Sequence, residues 1–130
     1  MAISYIHEAL MFYSKQKTSI TNKLSAVTMN LLSASKKTAE AQSQYNQKLN
    51  LFYQQFYEDD PDRYQILEEN LQNEHEVELA KLNAWETKLE NDKNRYESQY
   101  NMLSQYEASW NKLLNNNIKK EFSYGGSGSK

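Results

Sequence analysis

The residues that most readily break a helix are almost missing from the interior of this 130-residue chain. The one proline is Pro61, and the three glycines are Gly125, Gly126 and Gly128. Residues 1–60 and 62–124 therefore contain neither breaker, and they are rich in Ala, Leu, Glu, Gln and Lys. Stretches of that kind propagate helix, because nothing in them removes a backbone donor or carries the entropic cost of glycine. The punctuation predicts two helices with a single interruption at the proline.

Hydrophobic spacing says what those helices lie against. In the first arm Ile3, Ile6, Leu10, Tyr13, Lys17, Ile20, Leu24, Val27, Leu31, Ala34, Thr38, Ala41, Tyr45, Lys48 and Phe52 alternate by three and four residues. All but Lys17, Thr38 and Lys48 are Ala, aliphatic or aromatic, so this is a seam for a partner helix. The second arm carries two rows at the same spacing. One is His75, Leu82, Leu89, Tyr96, Leu103, Trp110 and Asn117; the other is Leu71, Glu78, Trp85, Asp92, Gln99, Tyr106 and Leu113. An unpaired carboxylate is costly in a seam. A slight roll that substitutes Leu79 for Glu78 and Tyr100 for Gln99 is therefore expected.

The break itself is Asp60, Pro61, Asp62. A proline pushes the preceding residue out of helical geometry. Asp60 can then cap the second helix, with Pro61 in its first position and Asp62 in its first turn, where negative charge meets the positive end of the helix dipole. One short break between two long helices makes them antiparallel. The expected fold is all-α: a long antiparallel helical hairpin (coiled coil), completed by self-association into a bundle. The hairpin is expected over 1–124, with a helix at 3–57, a bend at 58–61 and a helix at 61–122. A flexible Gly/Ser tail is expected at 125–130, with Gly125 as the helix stop. Facing positions should add to about 118 in this register. The alternative is that the arms refold into a compact four-helix bundle.

Composition fits a shape that buries only one stripe per helix. Just 38% of residues are hydrophobic and the mean hydropathy is -0.94. The net charge of -2 is unevenly spread: residues 1–57 carry +4, 58–92 carry -9 and 93–130 carry +3. The Lys23, Lys36, Lys37 and Lys48 side of the first arm is expected to face the acidic stretch. Such a balance lacks the concentrated basic face that nucleic-acid binding requires. No apolar run approaches a membrane span. Cysteine is absent, so thiolate chemistry and disulfides are excluded. The two histidines, His7 and His75, lie far apart in an antiparallel hairpin, and neither opens a ligand set for a metal. With no phosphate loop and no nucleophile–base spacing, no cofactor is expected and an enzyme is the least favoured class.

Apolar residues outside the seam are the candidates for function. Met11, Phe12, Met29, Leu32, Phe56 and Leu114 do not fit a two-helix interface and would be left in water unless something covers them. Phe52 with Phe56, and Tyr53 with Tyr57, form i, i+4 pairs beside the acidic bend. Tyr64 and Leu67 could fold back over them as a small satellite core. Partner binding is therefore expected at Phe52, Tyr53, Phe56, Tyr57, Tyr64, Phe12 and Leu32. The partner is another copy of the chain or another helical protein. The first reading is a structural or assembly protein that packs with itself; the second is an adaptor or chaperone that uses the tip at 52–64.

The plan of two helices bent once, without cysteine and without a basic start before the first apolar stretch, resembles the small leaderless helical hairpins of bacterial specialised secretion systems. Those are the type III needle-like subunits and the ESX-type proteins. The resemblance covers residues 3–122 in architecture only. It implies export without a cleaved signal and assembly into oligomers or filaments; the residues themselves leave the location open between the cytoplasm and a leaderless export route. The Trp-x-Gly of ESX-type bends is missing here, and the Tyr64 and Glu68 pair that has their export spacing opens the second helix instead of following it. No functional residue is carried over.

Overall fold

A computed structural model of the protein describes residues 2–128, with side chains from 2 to 121. Two helices account for nearly all of it: α1 (Ile3–Phe56) and α2 (Pro61–Gly128). Each is continuous, so the arms form an antiparallel hairpin and the compact four-helix alternative is excluded. The helix α1 closes with a bond from the Asp60 amide to the Phe56 carbonyl at 2.8 Å. Asp60 Oδ1 then accepts from the Arg63 amide at 3.2 Å, while its carbonyl accepts from the Tyr64 amide at 3.0 Å. Asp62 is the acidic residue of the first turn of α2. One residue thus ends one helix and caps the next, as the sequence around Pro61 predicts.

At the far end α2 runs past the expected stops at 122 and Gly125, as far as Gly128. No described glycine has positive φ, so Gly125 does not form a left-handed cap. Glycine adopts right-handed helix without strain, at an entropic cost of about 1 kcal/mol relative to Ala. The remainder of the expected Gly/Ser tail, residues 129 and 130, lies outside the described residues.

Two compact units divide the chain, residues 1–26 with 93–130, and residues 27–92. In the first, Ile6 and Ile20 are buried. Tyr5 meets Trp110 at 6.3 Å between ring centroids, and Tyr13 meets Tyr106 at 5.7 Å. Lys17, one of the polar interruptions of the seam, pairs with Glu107 at 3.4 Å and lies 4.9 Å from the ring centre of Tyr100. In the second unit the buried residues are Val27, Ala34, Ala41, Leu71 and Leu89. Here Tyr45 stacks on His75 at 4.3 Å, and Lys37 lies over Trp85 at 5.2 Å. Facing pairs have residue numbers that add to between 115 (Tyr5 with Trp110) and 124 (Lys17 with Glu107), which brackets the expected register.

Three details of the seam differ from the expectation. Lys48 is exposed and Leu49 takes its place, because an aliphatic side chain buries where an ammonium does not. Leu79 does replace Glu78, whereas Gln99 and Tyr100 are both half-buried. Glu107, not Tyr106, faces inward, and it does so because Lys17 neutralises it there. Lys23 and Lys37 stand over the rings of Tyr96 and Trp85, cation–π contacts where carboxylates were expected to face the lysines.

The cap gives a direct prediction. Asp60→Ala should destabilise the protein by about 1 kcal/mol in denaturant unfolding followed by circular dichroism. Asp59→Ala, one position away and without the capping bond, should stay within about 0.5 kcal/mol of the parent.

Candidate functional site

The bend gathers aromatic side chains because α1 ends and α2 begins there, each contributing the last members of its stripe. Tyr53 and Tyr57 are one helical turn apart, and the backbone bond from the Tyr57 amide to the Tyr53 carbonyl at 3.1 Å holds that turn. Their rings stack at 4.4 Å. Tyr64, from the first turn of α2, sets its ring at 90° to Tyr57 at 5.4 Å and at 81° to Tyr53 at 5.9 Å. The result is a three-tyrosine cluster with two edge-to-face contacts and one stack, the arrangements that aromatic quadrupoles favour.

The cluster is covered from one side only. Tyr53 and Tyr57 remain 49% and 47% exposed, while Tyr64 is half-buried. Partial desolvation raises the Tyr64 phenol above its ordinary value. The nearby carboxylate of Glu68, which accepts its hydrogen bond, raises it further. Phe52 and Phe56 are half-buried, and the Arg63 guanidinium lies 4.7 Å over the Phe56 ring. Phe56 was expected to stand outside the interface; α2 covers it instead, through Arg63. Leu114 is likewise half-buried rather than stranded. Tyr64 therefore folds back as the satellite-core reading expects, and Leu67 is half-buried too.

The other off-seam residues are as exposed as their spacing implies. Phe12 is 56% accessible, with its ring edge-on to Tyr13 at 5.6 Å, and Leu32 is 74% accessible. Met11 and Met29 are exposed as well. The structure thus separates the seven candidates: Phe52, Phe56 and Tyr64 serve the bend, whereas Tyr53, Tyr57, Phe12 and Leu32 present apolar surface to solvent.

One arrangement escaped the sequence reading. His75 not only stacks on Tyr45 but has Nε2 3.1 Å from Gln42 Oε1. The clue was present, since Tyr45 and His75 add to 120 and so face one another in the expected register. This histidine is engaged with an aromatic ring and an amide, and among the described residues no cluster of His, Cys, Asp or Glu could hold a metal. No described helix is long and apolar enough to cross a membrane. No protein-family model, curated protein or solved structure matches the chain.

The Tyr64 environment makes a testable statement about pH. Its protonated form is favoured in the folded state, so stability should fall as pH rises from the ordinary tyrosine value, 10.0, through the raised one. Followed by tyrosinate absorbance, Tyr64→Phe should remove a component that titrates above the ordinary tyrosine range. Glu68→Gln should move that titration to lower pH.

Proposed function

We propose that this chain is a non-enzymatic assembly protein, a helical hairpin that associates with copies of itself through apolar side chains outside its own seam. The observation that carries this reading is a mismatch in the described residues: seven apolar residues are buried, while thirteen large hydrophobic residues are exposed. A two-helix hairpin has one interface to fill, and chains with so thin a core commonly reach stability by oligomerisation. Exposed apolar surface of this extent, distributed along two helices instead of gathered in one cleft, suits helix-on-helix packing between copies better than a ligand pocket. Self-assembly is also what the resemblance to secretion-system hairpins implies.

A second reading rests on a different observation. Tyr53 and Tyr57 form an exposed, rigidly stacked pair beside Glu58, Asp59 and Asp60, and tyrosine is well suited to contacts that are part apolar and part polar. An adaptor that offers this tip to another helical protein would use it.

The two readings separate experimentally. Molar mass by light scattering should rise with protein concentration for the parent chain. Phe12→Glu combined with Leu32→Glu should weaken that association about tenfold or more, since each places a charge in a contact that must be desolvated. Tyr53→Ala combined with Tyr57→Ala should leave it intact. A parent mass that stays fixed at one or two chains across concentration would favour the adaptor reading instead.

A further inference from the structure

The two compact units carry opposite charge. By sequence, residues 1–26 with 93–130 bear nine basic and four acidic side chains, for +5, whereas residues 27–92 bear six basic and thirteen acidic ones, for -7. The contrast is sharpest along α2, on exposed positions spaced by three and four residues. Ile66, Glu69, Asn73, Glu76, Ala80 and Asn83 form one exposed stripe in the acidic unit, with the exposed Val77 beside it. Met102, Gln105, Ser109, Lys112, Asn116 and Lys119 form another in the basic unit, with the exposed Ile118 beside it. The first stripe contains no base and the second no acid. Among the described residues no ion pair engages Glu69, Glu76, Lys112 or Lys119; Glu76 meets only the Gln72 amide, at 3.5 Å.

Resting on the self-association reading, we infer that the acidic stripe of α2 in one copy receives the basic stripe of α2 from a second copy, antiparallel. The spacing lets both charges of each stripe pair at once. Glu69 and Glu76 are one heptad apart, as are Lys112 and Lys119. In an antiparallel alignment Glu69 meets Lys119 at the same register at which Glu76 meets Lys112, so both ion pairs form together. In a parallel alignment they would form as well, Glu69 with Lys112 and Glu76 with Lys119. The antiparallel alignment, in which facing residue numbers add to 188, is its own inverse, so exchanging the two copies gives the same contact, the isologous form most common among soluble oligomers; the parallel alignment, offset by 43 residues, is not. Each stripe also brings an aliphatic or thioether side chain that is exposed in the single hairpin, which supplies the apolar contact that charges alone lack. The charges set partner choice and register, and contact between two like stripes would place carboxylate on carboxylate.

The test uses the full chain with paired charge reversals at exposed positions, its mass followed by sedimentation across protein and salt concentration. Lys112→Glu with Lys119→Glu should weaken self-association about tenfold or more, and Glu69→Lys with Glu76→Lys should do the same, because each sets like charges face to face. Mixing the two variants should restore association, as should all four reversals in one chain. Circular dichroism of each variant checks that the helices persist. A spectroscopic label pair at Ala80→Cys in one variant and Ser109→Cys in the other, mixed, should report close approach in the antiparallel register, and Ile66→Cys with Ser109→Cys, which face each other only in the parallel alignment, a separation longer by about 20 Å along the helix. Reversal variants that associate like the parent, or mixing that fails to restore association, would overturn the stripe pairing while leaving self-association standing. Label separations in the opposite order would overturn the antiparallel register. A parent chain that stays monomeric at every concentration would overturn both this pairing and the reading on which it rests.

Discussion

A single buried position, repeated every seven residues along α1, is what the rest of the molecule depends on. Ile6, Ile20, Val27, Ala34 and Ala41 are the buried residues of that helix, and all fall at multiples of seven from one another. A helix of 54 residues with a polar sequence gains little from intrinsic propensity in water; packing of one stripe against a partner helix supplies most of its stability. The seven-residue repeat keeps that stripe facing α2 along both units. Toward the bend the buried residues on it become small: the register sets Ala34 opposite Trp85, whose ring takes Lys37 over one face.

Polar interruptions in the seam are absorbed without leaving unpaired charge. Lys17 meets Glu107 and the Tyr100 ring, Tyr45 meets His75, and Thr38 returns its hydroxyl to the Ala34 carbonyl at 3.0 Å. Among the described residues no buried side-chain nitrogen or oxygen lacks a partner. A part-exposed pair such as Lys17 with Glu107 contributes modestly, about 0.5–1 kcal/mol. Its larger effect is to fix which way α2 rolls, since Glu107 rather than Tyr106 turns inward. That roll leaves Met102 and Tyr106 part-exposed, Tyr106 with one side against Tyr13, so a choice made inside the seam determines what the outside of the hairpin offers.

Much of this was legible in the chain. The lone proline between aspartates located the bend, and the bend with the helix lengths fixed the register. Spacing by three and four identified fourteen of the fifteen seam positions of α1, with Leu49 displacing only Lys48. What spacing could not give is the rotation of α2 by one position at Glu107. A single-residue step turns a helix by about 100°, and the choice between neighbouring side chains depends on the charge that meets them from the other helix. The candidate site divides the same way. Phe12 and Leu32 are exposed because nothing in the hairpin lies on their side. Phe56 is covered because Arg63, three residues into α2, reaches back across it, a contact set by the geometry of the bend.

Everything proposed about assembly presumes that the two arms of one chain close on each other, instead of each arm pairing with the arm of a second chain. The chain contains no cysteine, so thiols can be placed at will. Gln42→Cys with His75→Cys puts one on each arm, at side chains that approach within 3.1 Å across the seam. The measurement is the product of a short thiol cross-linker, resolved under denaturing conditions over a wide range of protein concentration. The hairpin account predicts a cross-link within single chains, in a yield independent of concentration. Products that join two chains exclusively, and increase with concentration, would contradict it.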